Sequence, residues 1–351
     1  MDMEPIELSD REKTILRNII QQFVLTANPV GSSNLTKKYG LGLSAATIRN
    51  IMADLEDAGY LNHPHTSAGR VPTDKGYRFF VNSLMEPPVL QEDEKETILR
   101  ELRVFMQETD DLIQVTSAIL SDITNQLALV TYPKLETGRL EKIQIVQLTS
   151  SRILVVVSIV SGLVKTITLE INAEFNSDHI EAVQRLLNER LAGLTLSEIK
   201  RTIGERFRDI SENYRPIIRV FLDSADRIFA GFKSSERAVI TGAKNILKQP
   251  EFEKHEQFQG IIELIEDKDV IVHVMNNKIS SENDLVIKIG KENESERLND
   301  YSLITKDYTI GDVSGTIGIV GPRRMQYSKM IASIVYVAEV LSEYMRKGSP
   351  E

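Results

Sequence analysis

Apolar residues recur at helical spacing from the start of the chain. Ile15, Ile19, Ile20, Phe23 and Val24 follow a Ser9–Glu12 pair, the S-x-x-E pattern of a capped helix start, and Asn28-Pro29 ends the run. A second short helix is predicted with Ser32 or Ser33 as N-cap, Leu35 inward, Lys37 and Lys38 in the last turn and Gly40 as the stop. A third begins at Ser44, buries Ile48, Ile51 or Met52, and Leu55, and ends at Gly59. Such helices, separated by Pro29-Val30-Gly31 and Gly40-Leu41-Gly42-Leu43, predict a helix-turn-helix unit. Tyr60 to His63 and Arg70 to Pro72 flank a Gly/Ser/Pro tip, which predicts a β-hairpin, the wing of a winged helix. A fourth helix, capped by Thr73, carries Tyr77, Phe80 or Val81, and Leu84 on one face.

Met85-Glu86-Pro87-Pro88-Val89 reads as a linker, because two prolines disfavour helix before them and stiffen the connection. The first domain is therefore set at residues 1–85. From Gln91 to about Leu127, apolar residues recur at three, four or seven positions, predicting one long helix or a broken pair. The period then changes to strand-like runs at Lys142 to Thr149, Arg152 to Val160 and Leu163 to Ile171. A mainly helical stretch from Ser177 to about Ile210 follows, then mixed patterns through residue 247 and a helix at Phe258 to Ile265. Strands are predicted again at Val270 to Met275, Leu285 to Ile289, Tyr301 to Thr305 and Ser314 to Val320, before a final helix from Pro322 to about Met345. Sheet, helical interruption, sheet and closing helix predict an α/β domain in two segments, 90–172 and 268–346, with an α+β domain inserted at 173–267. The fold class is α+β multidomain.

The third helix carries the most specific chemistry. With Ile48, Ile51 and Leu55 inward, its other side presents Ala45, Ala46, Arg49, Asn50 and Ala53, with Ser44 and Thr47 at its start. Small side chains let a helix approach base edges, Arg can take guanine O6/N7 and Asn adenine N6/N7 in bidentate geometry, and Thr47 suits a phosphate or a thymine methyl. The plainer account is an exposed helix rich in Ala because Ala forms helix well. Helix-turn-helix spacing before it and a wing after it favour DNA. Lys37 and Lys38 suit the phosphate backbone. In the wing, His63, His65, Thr66, Ser67 and Arg70 surround a small tip, with Arg70 and the Thr/Ser hydroxyls suited to phosphate or the minor groove.

Composition changes this picture in two places. The 351 residues suggest two or three domains. The chain has no Cys, which removes disulfides, thiolate nucleophiles and Cys-based metal sites and suits the cytoplasm. The N-terminus lacks the basic and apolar regions of a signal peptide, and the longest apolar run, Ile153 to Val160, is too short to span a membrane. His63-x-His65 is a possible metal half-site that no nearby carboxylate pattern completes. Gly311, Gly315, Gly318 and Gly321 match neither common phosphate-loop motif, though Pro322 with Arg323 and Arg324 suggests a small anion site. No catalytic motif appears, so the expectation is a protein that is no enzyme and carries no metal or cofactor.

Charge at first argues against nucleic acid, since the chain is net −9. Counted by domain the objection weakens: residues 1–85 hold nine basic and nine acidic residues, so the whole excess of acid lies elsewhere. Within residues 32–80 six basic residues face four acidic ones, and Arg49, Arg70, Lys75 and Arg78 fall near the expected contact surface.

Two blocks are specific enough to name a family. Ser44-Ala45-Ala46-Thr47-Ile48-Arg49-Asn50 with Met52-Ala53-Asp54-Leu55-Glu56, and Pro64-His65-Thr66-Ser67-Ala68-Gly69-Arg70-Val71-Pro72-Thr73-Asp74-Lys75-Gly76-Tyr77-Arg78, resemble the HrcA family of bacterial heat-inducible transcription repressors. Near the C-terminus, Gly321-Pro322-Arg323-Arg324-Met325-Gln326-Tyr327 is similar to that family's G-P-T-R-M-x-Y segment, with Arg323 where Thr is usual. The resemblance implies a winged helix, a GAF-like domain and an inserted dimerisation domain. It also implies a homodimer that represses chaperone operons at an inverted-repeat operator in double-stranded DNA, the CIRCE element, with the chaperonin as modulator. The competing expectation is a winged-helix regulator whose GAF-like domain senses a small molecule.

Overall fold

Helix α1 (Asp10–Thr26) forms because Ser9 and Glu12 cap it reciprocally: the Ser9 hydroxyl accepts from the Glu12 N–H at 3.4 Å, and the Glu12 carboxylate accepts from the Ser9 N–H at 2.7 Å. Among the described residues the fold is α+β, with three separate sheets. The computed structural model describes residues 8–64, 69–104, 109–171, 177–210, 214–229, 238–253, 255–276 and 285–346.

After α1 come α2 (Ser32–Tyr39) and α3 (Ala45–Asp57). Gly31, and not Ser32 or Ser33, is the N-cap of α2, because Ser32 already lies within the helix and is buried. The short strands β1 (Leu61–Asn62) and β2 (Val71–Pro72) pair antiparallel, and Arg70 bridges to Val30 through reciprocal 2.9 Å backbone hydrogen bonds. Helix α4 (Asp74–Phe79) runs on into a π-helical turn, Phe80–Leu84. Ile15, Leu16, Ile19 and Ile20 of α1, Leu35 of α2 and Ile48, Met52 and Leu55 of α3 form a buried core, in which Met52 and not Ile51 faces inward. Burying a Leu or Ile side chain stabilises by about 1.5–3 kcal/mol, so this small module has a true interior.

The chain divides into two compact units. The first takes in the chain up to Val130, Val239–Lys306 and Ile317–Ala338; the second takes in Thr131–Ala238, Asp307–Thr316 and the chain from Glu339 onward. A five-stranded sheet, most of whose residues lie in the first unit, has the order β7 (Ala238–Thr241), β3 (Leu127–Thr131), β10 (Val313–Pro322), β9 (Tyr301–Ile310), β8 (Leu285–Ile289). β10 pairs antiparallel with β3, Ile317 opposite Val130 and Val320 opposite Leu127. Every residue of β3 is buried, as expected of a strand covered on both faces. The long periodic stretch after the linker is a broken pair, α5 (Glu92–Val104) and α6 (Thr109–Thr124).

Two expectations need correction here. Val270 to Met275 is not a strand but part of α13 (Lys268–Asn276), whose Val274 and Met275 share a core with Ile261 and Leu264 of α12 (His255–Glu266). A β-branched run favours strand only weakly, and packing against α12 overrides it. The closing helix α14 spans Tyr327–Arg346, not Pro322 onward: Pro322 is the last residue of β10.

In the second unit, β4 (Leu140–Gln147), β5 (Arg152–Ile159) and β6 (Val164–Glu170) form an antiparallel meander. One face, with Ile143, Ile145, Ile153, Val155 and Val157, is covered by α7 (Ser177–Leu191), α8 (Leu196–Arg206), α9 (Arg215–Asp223) and α10 (Ala225–Phe229). Gln184 and Asn188 of α7 accept from the outward N–H groups of Ile145 and Ile143, both at 2.7 Å, so α7 also caps the β4 edge. The meander thus belongs with the helices that follow it, and the boundary expected between residues 172 and 173 does not separate the units. Residues 239–267, expected in the insertion, lie in the first unit. Consecutive amphipathic strands show that one face will be covered, not which helices will cover it.

Candidate nucleic-acid interface

Ser44 caps α3, its hydroxyl accepting from the Thr47 N–H at 3.1 Å. That cap fixes the start of the helix and with it the side that turns outward. Ile48, Met52 and Leu55 are buried, while Ser44, Ala46, Thr47, Arg49 and Asn50 are exposed. Among the described residues, Arg49 has no hydrogen-bond or ion-pair partner. A bare guanidinium and a bare amide one residue apart, flanked by side chains no larger than Thr, leave room for a duplex edge.

The other basic residues are differently placed. Lys37 and Lys38 are exposed on the last turn of α2; Lys38 Nζ donates to Gln22 Oε1 at 2.5 Å, and Lys37 is left outward. Arg70 is held at the base of the ribbon by Glu56, Nε to Oε2 at 2.6 Å, and by the His63 ring. Lys75 donates to the Ala58 carbonyl at 2.8 Å and lies over the Tyr60 ring. Arg78 donates to Glu292 Oε1 at 2.9 Å and to the Ile287 carbonyl at 2.6 Å. Of the four cations expected near the contact surface, Arg49 alone is bare. His65, Thr66 and Ser67 lie outside the described residues.

The Arg323–Arg324 pair is no anion site, since carboxylates already occupy both guanidinium groups. Arg323 donates to Asp74 Oδ1 at 2.9 Å and Arg324 to Glu251 Oε2 at 3.0 Å. Local pattern gives no role to Asp74 or Glu251 and reads Glu292 as solvated surface, because their partners lie 73 to 249 positions away along the chain. No local spacing rule reaches that far.

Beside these pairs is a cavity of about 190 Å³ lined by Phe23, Tyr77, Glu251, Tyr301, Arg323 and Arg324, among others. The Tyr77 hydroxyl is buried there without a hydrogen-bond partner, and burial raises its pKa well above the ordinary tyrosine value, so it is a neutral donor. Among the described residues, no group of three His, Asp or Glu side chains is placed to hold a metal ion, and no helix is long and apolar enough to cross a membrane.

These features define the class: a multidomain α+β protein with an N-terminal helical module that keeps one capped helix face bare. A family profile described as "HrcA protein C terminal domain" matches residues 110–331. The chain is 40% identical over 345 residues to the heat-inducible transcription repressor HrcA of Chlorobium phaeobacteroides strain BS1, covering 96% of this chain and 98% of that one. It is 41% identical to the protein of the same name from Prosthecochloris aestuarii, over 97% and 98% of the two chains. A hypothetical protein with a crystal structure at 2.2 Å resolution shares the fold, with a TM-score of 0.60, 21% identity, and 98% and 100% coverage. The chain belongs to the HrcA family.

Proposed function

We propose that this protein is a cytoplasmic, homodimeric, sequence-specific DNA-binding repressor of heat-shock chaperone operons. On this reading residues 1–85 are a winged-helix domain, and α3 enters the major groove of an inverted-repeat operator of the CIRCE type. The observation that carries it is the bare α3 face, in a chain whose relatives are named heat-inducible transcription repressors. Arg49 and Asn50 read base edges, Ser44, Ala46 and Thr47 allow close approach, and Lys37 and Lys38 with the wing residues His65, Thr66, Ser67 and Arg70 hold the backbone. The five-stranded sheet with its helices is the GAF-like domain, and the chaperonin modulates the active form.

A two-fold dimer matches the symmetry of an inverted repeat. The second unit offers a mixed face for it, in which valines stand among Lys142, Gln144, Thr166 and Thr168. On the side of the meander away from its helices, Val146 pairs across to Leu154 and Ser158 to Val164, and Val146 and Val164 are about half exposed or more. A footprint on genomic DNA at fixed salt tests the reading: protection of two symmetric half-sites is expected, and uniform protection of unrelated DNA would refute it.

Small-molecule sensing is the second reading, favoured by the unpartnered Tyr77 hydroxyl beside the 190 Å³ cavity. A saturable rise in melting temperature with a nucleotide or metabolite, lost in Tyr77→Phe, would support it.

A further inference from the structure

We propose that Asp74 and Arg323 form a clamp that fixes the direction in which α3 points from the sheet of its own unit. The clamp thereby sets which half-site spacing the dimer accepts. Its consequence for DNA rests on the repressor reading above; the clamp itself does not.

The seat for Asp74 is built from backbone as well as side chain. Its carboxylate accepts from Arg323 Nη1 at 2.9 Å and from the Lys291 N–H at 3.1 Å. Gly290, at φ +56°, leaves the space the carboxylate fills: a Cβ there would stand 2.2 Å from Asp74 Oδ2. Tyr77 and Arg78, three and four residues on, share this side of α4. Tyr77 lies tilted against Tyr327, ring centroids 5.9 Å apart, and Arg78 holds Glu292 and the Ile287 carbonyl. Arg324 adds a hold on α1, donating to the Val24 carbonyl while it pairs with Glu251.

A short path links this seat to α3. Thr73 donates to the Gly59 carbonyl at 2.7 Å and Lys75 to the Ala58 carbonyl at 2.8 Å, so the residues on either side of Asp74 are tied to the C-terminal end of α3. Turning α3 would drag Asp74 out of its seat. Asp74 is a poor phosphate contact, being an anion, so its role is positioning and not reading. Arg323 also stands where the similar family segment has Thr, and a Thr hydroxyl can supply neither the charge nor the reach of a guanidinium.

The absence of Cys allows clean labelling. Spin labels at R17C and K244C, both exposed positions in this unit, report the module against the sheet by pulsed dipolar spectroscopy. One narrow distance is expected in the parent, a distribution at least twice as wide in Arg323→Thr, and a width close to the parent's in Arg323→Lys. Asp74→Asn, which keeps an acceptor for the Lys291 N–H, serves as the second loosening variant if Arg323→Thr melts early. In parallel, binding is measured to the footprinted operator, to copies with half-sites moved one base pair apart or together, and to random DNA. The loosened variants should bind the natural spacing about tenfold more weakly, discriminate less between spacings and bind random DNA within twofold of the parent. Unchanged widths would overturn the clamp, as would tighter operator binding, which would make the contact an inhibitory strap. If the parent itself does not prefer the operator, the repressor reading falls, and the distance widths still decide the clamp.

Discussion

Two sides of one small module treat their charges in opposite ways. On α3, Arg49 and Asn50 face outward, and Arg49 has no partner among the described residues. On α4, Asp74 and Arg78 are engaged by groups more than two hundred positions away in the chain. Arg49 and Arg78 carry the same charge on helices of the same domain, yet one is left for a partner and the other consumed by the fold. An arginine count is thus a poor guide to a binding surface; what matters is which arginines remain unpaired once the chain has folded.

The sharpest way to break this comparison is to strike the buried side of α3. Ile48 is fully buried, so Ile48→Ala should cost about 2–5 kcal/mol, measurable by denaturant titration, and take DNA binding with it. Arg49→Ala should leave stability within about 0.5 kcal/mol of the parent while costing about 1–3 kcal/mol of operator discrimination in anisotropy titrations. Arg78→Ala should instead lower stability by about 1–3 kcal/mol through loss of charge-assisted hydrogen bonds. If both arginines behave alike, the distinction drawn between the two faces is wrong.

Smaller effects sharpen it. Ser44→Ala removes the α3 cap and should cost about 1 kcal/mol of stability, with a parallel weakening of operator binding as the first turn frays. The least effect concerns pH and touches neither face. Glu12 is held below its ordinary value of 4.5, chiefly by the Ser9 hydroxyl hydrogen bond, and Glu198 likewise by the Thr195 backbone N–H. A carboxyl depressed in the folded state contributes stability that is present above its unfolded pKa and is lost as pH falls through the folded one. Melting temperature should therefore fall slightly below about pH 4.5, and less so in Glu12→Gln, while DNA contacts at neutral pH stay unchanged.

Local signals survived where one side chain and its near neighbours decide the outcome. The Ser9–Glu12 box, the Ser44 and Thr73 caps and the inward positions of α3 all stand as their spacing predicts, because each is settled within about four residues. The misjudged features depend on distant partners. Val270 to Met275 carries strand-forming residues but was claimed as helix by its packing on α12. The meander β4–β6 looked like part of the α/β domain until α7–α10 covered it. Arg323 and Arg324 suggested an anion site, and their charges were instead met by Asp74 and Glu251.

By itself, then, the sequence determined the helix starts at Ser9 and Ser44, the strands of the β4–β6 meander and the chemical character of the α3 face, and its motifs already resembled the HrcA family. Only the tertiary structure decided which helices cover which strands, where the two units divide and which cations stay bare. The physical reason is reach: caps and helical periodicity act over a few residues, whereas ion pairing and core packing join groups whose separation along the chain leaves no mark in local pattern.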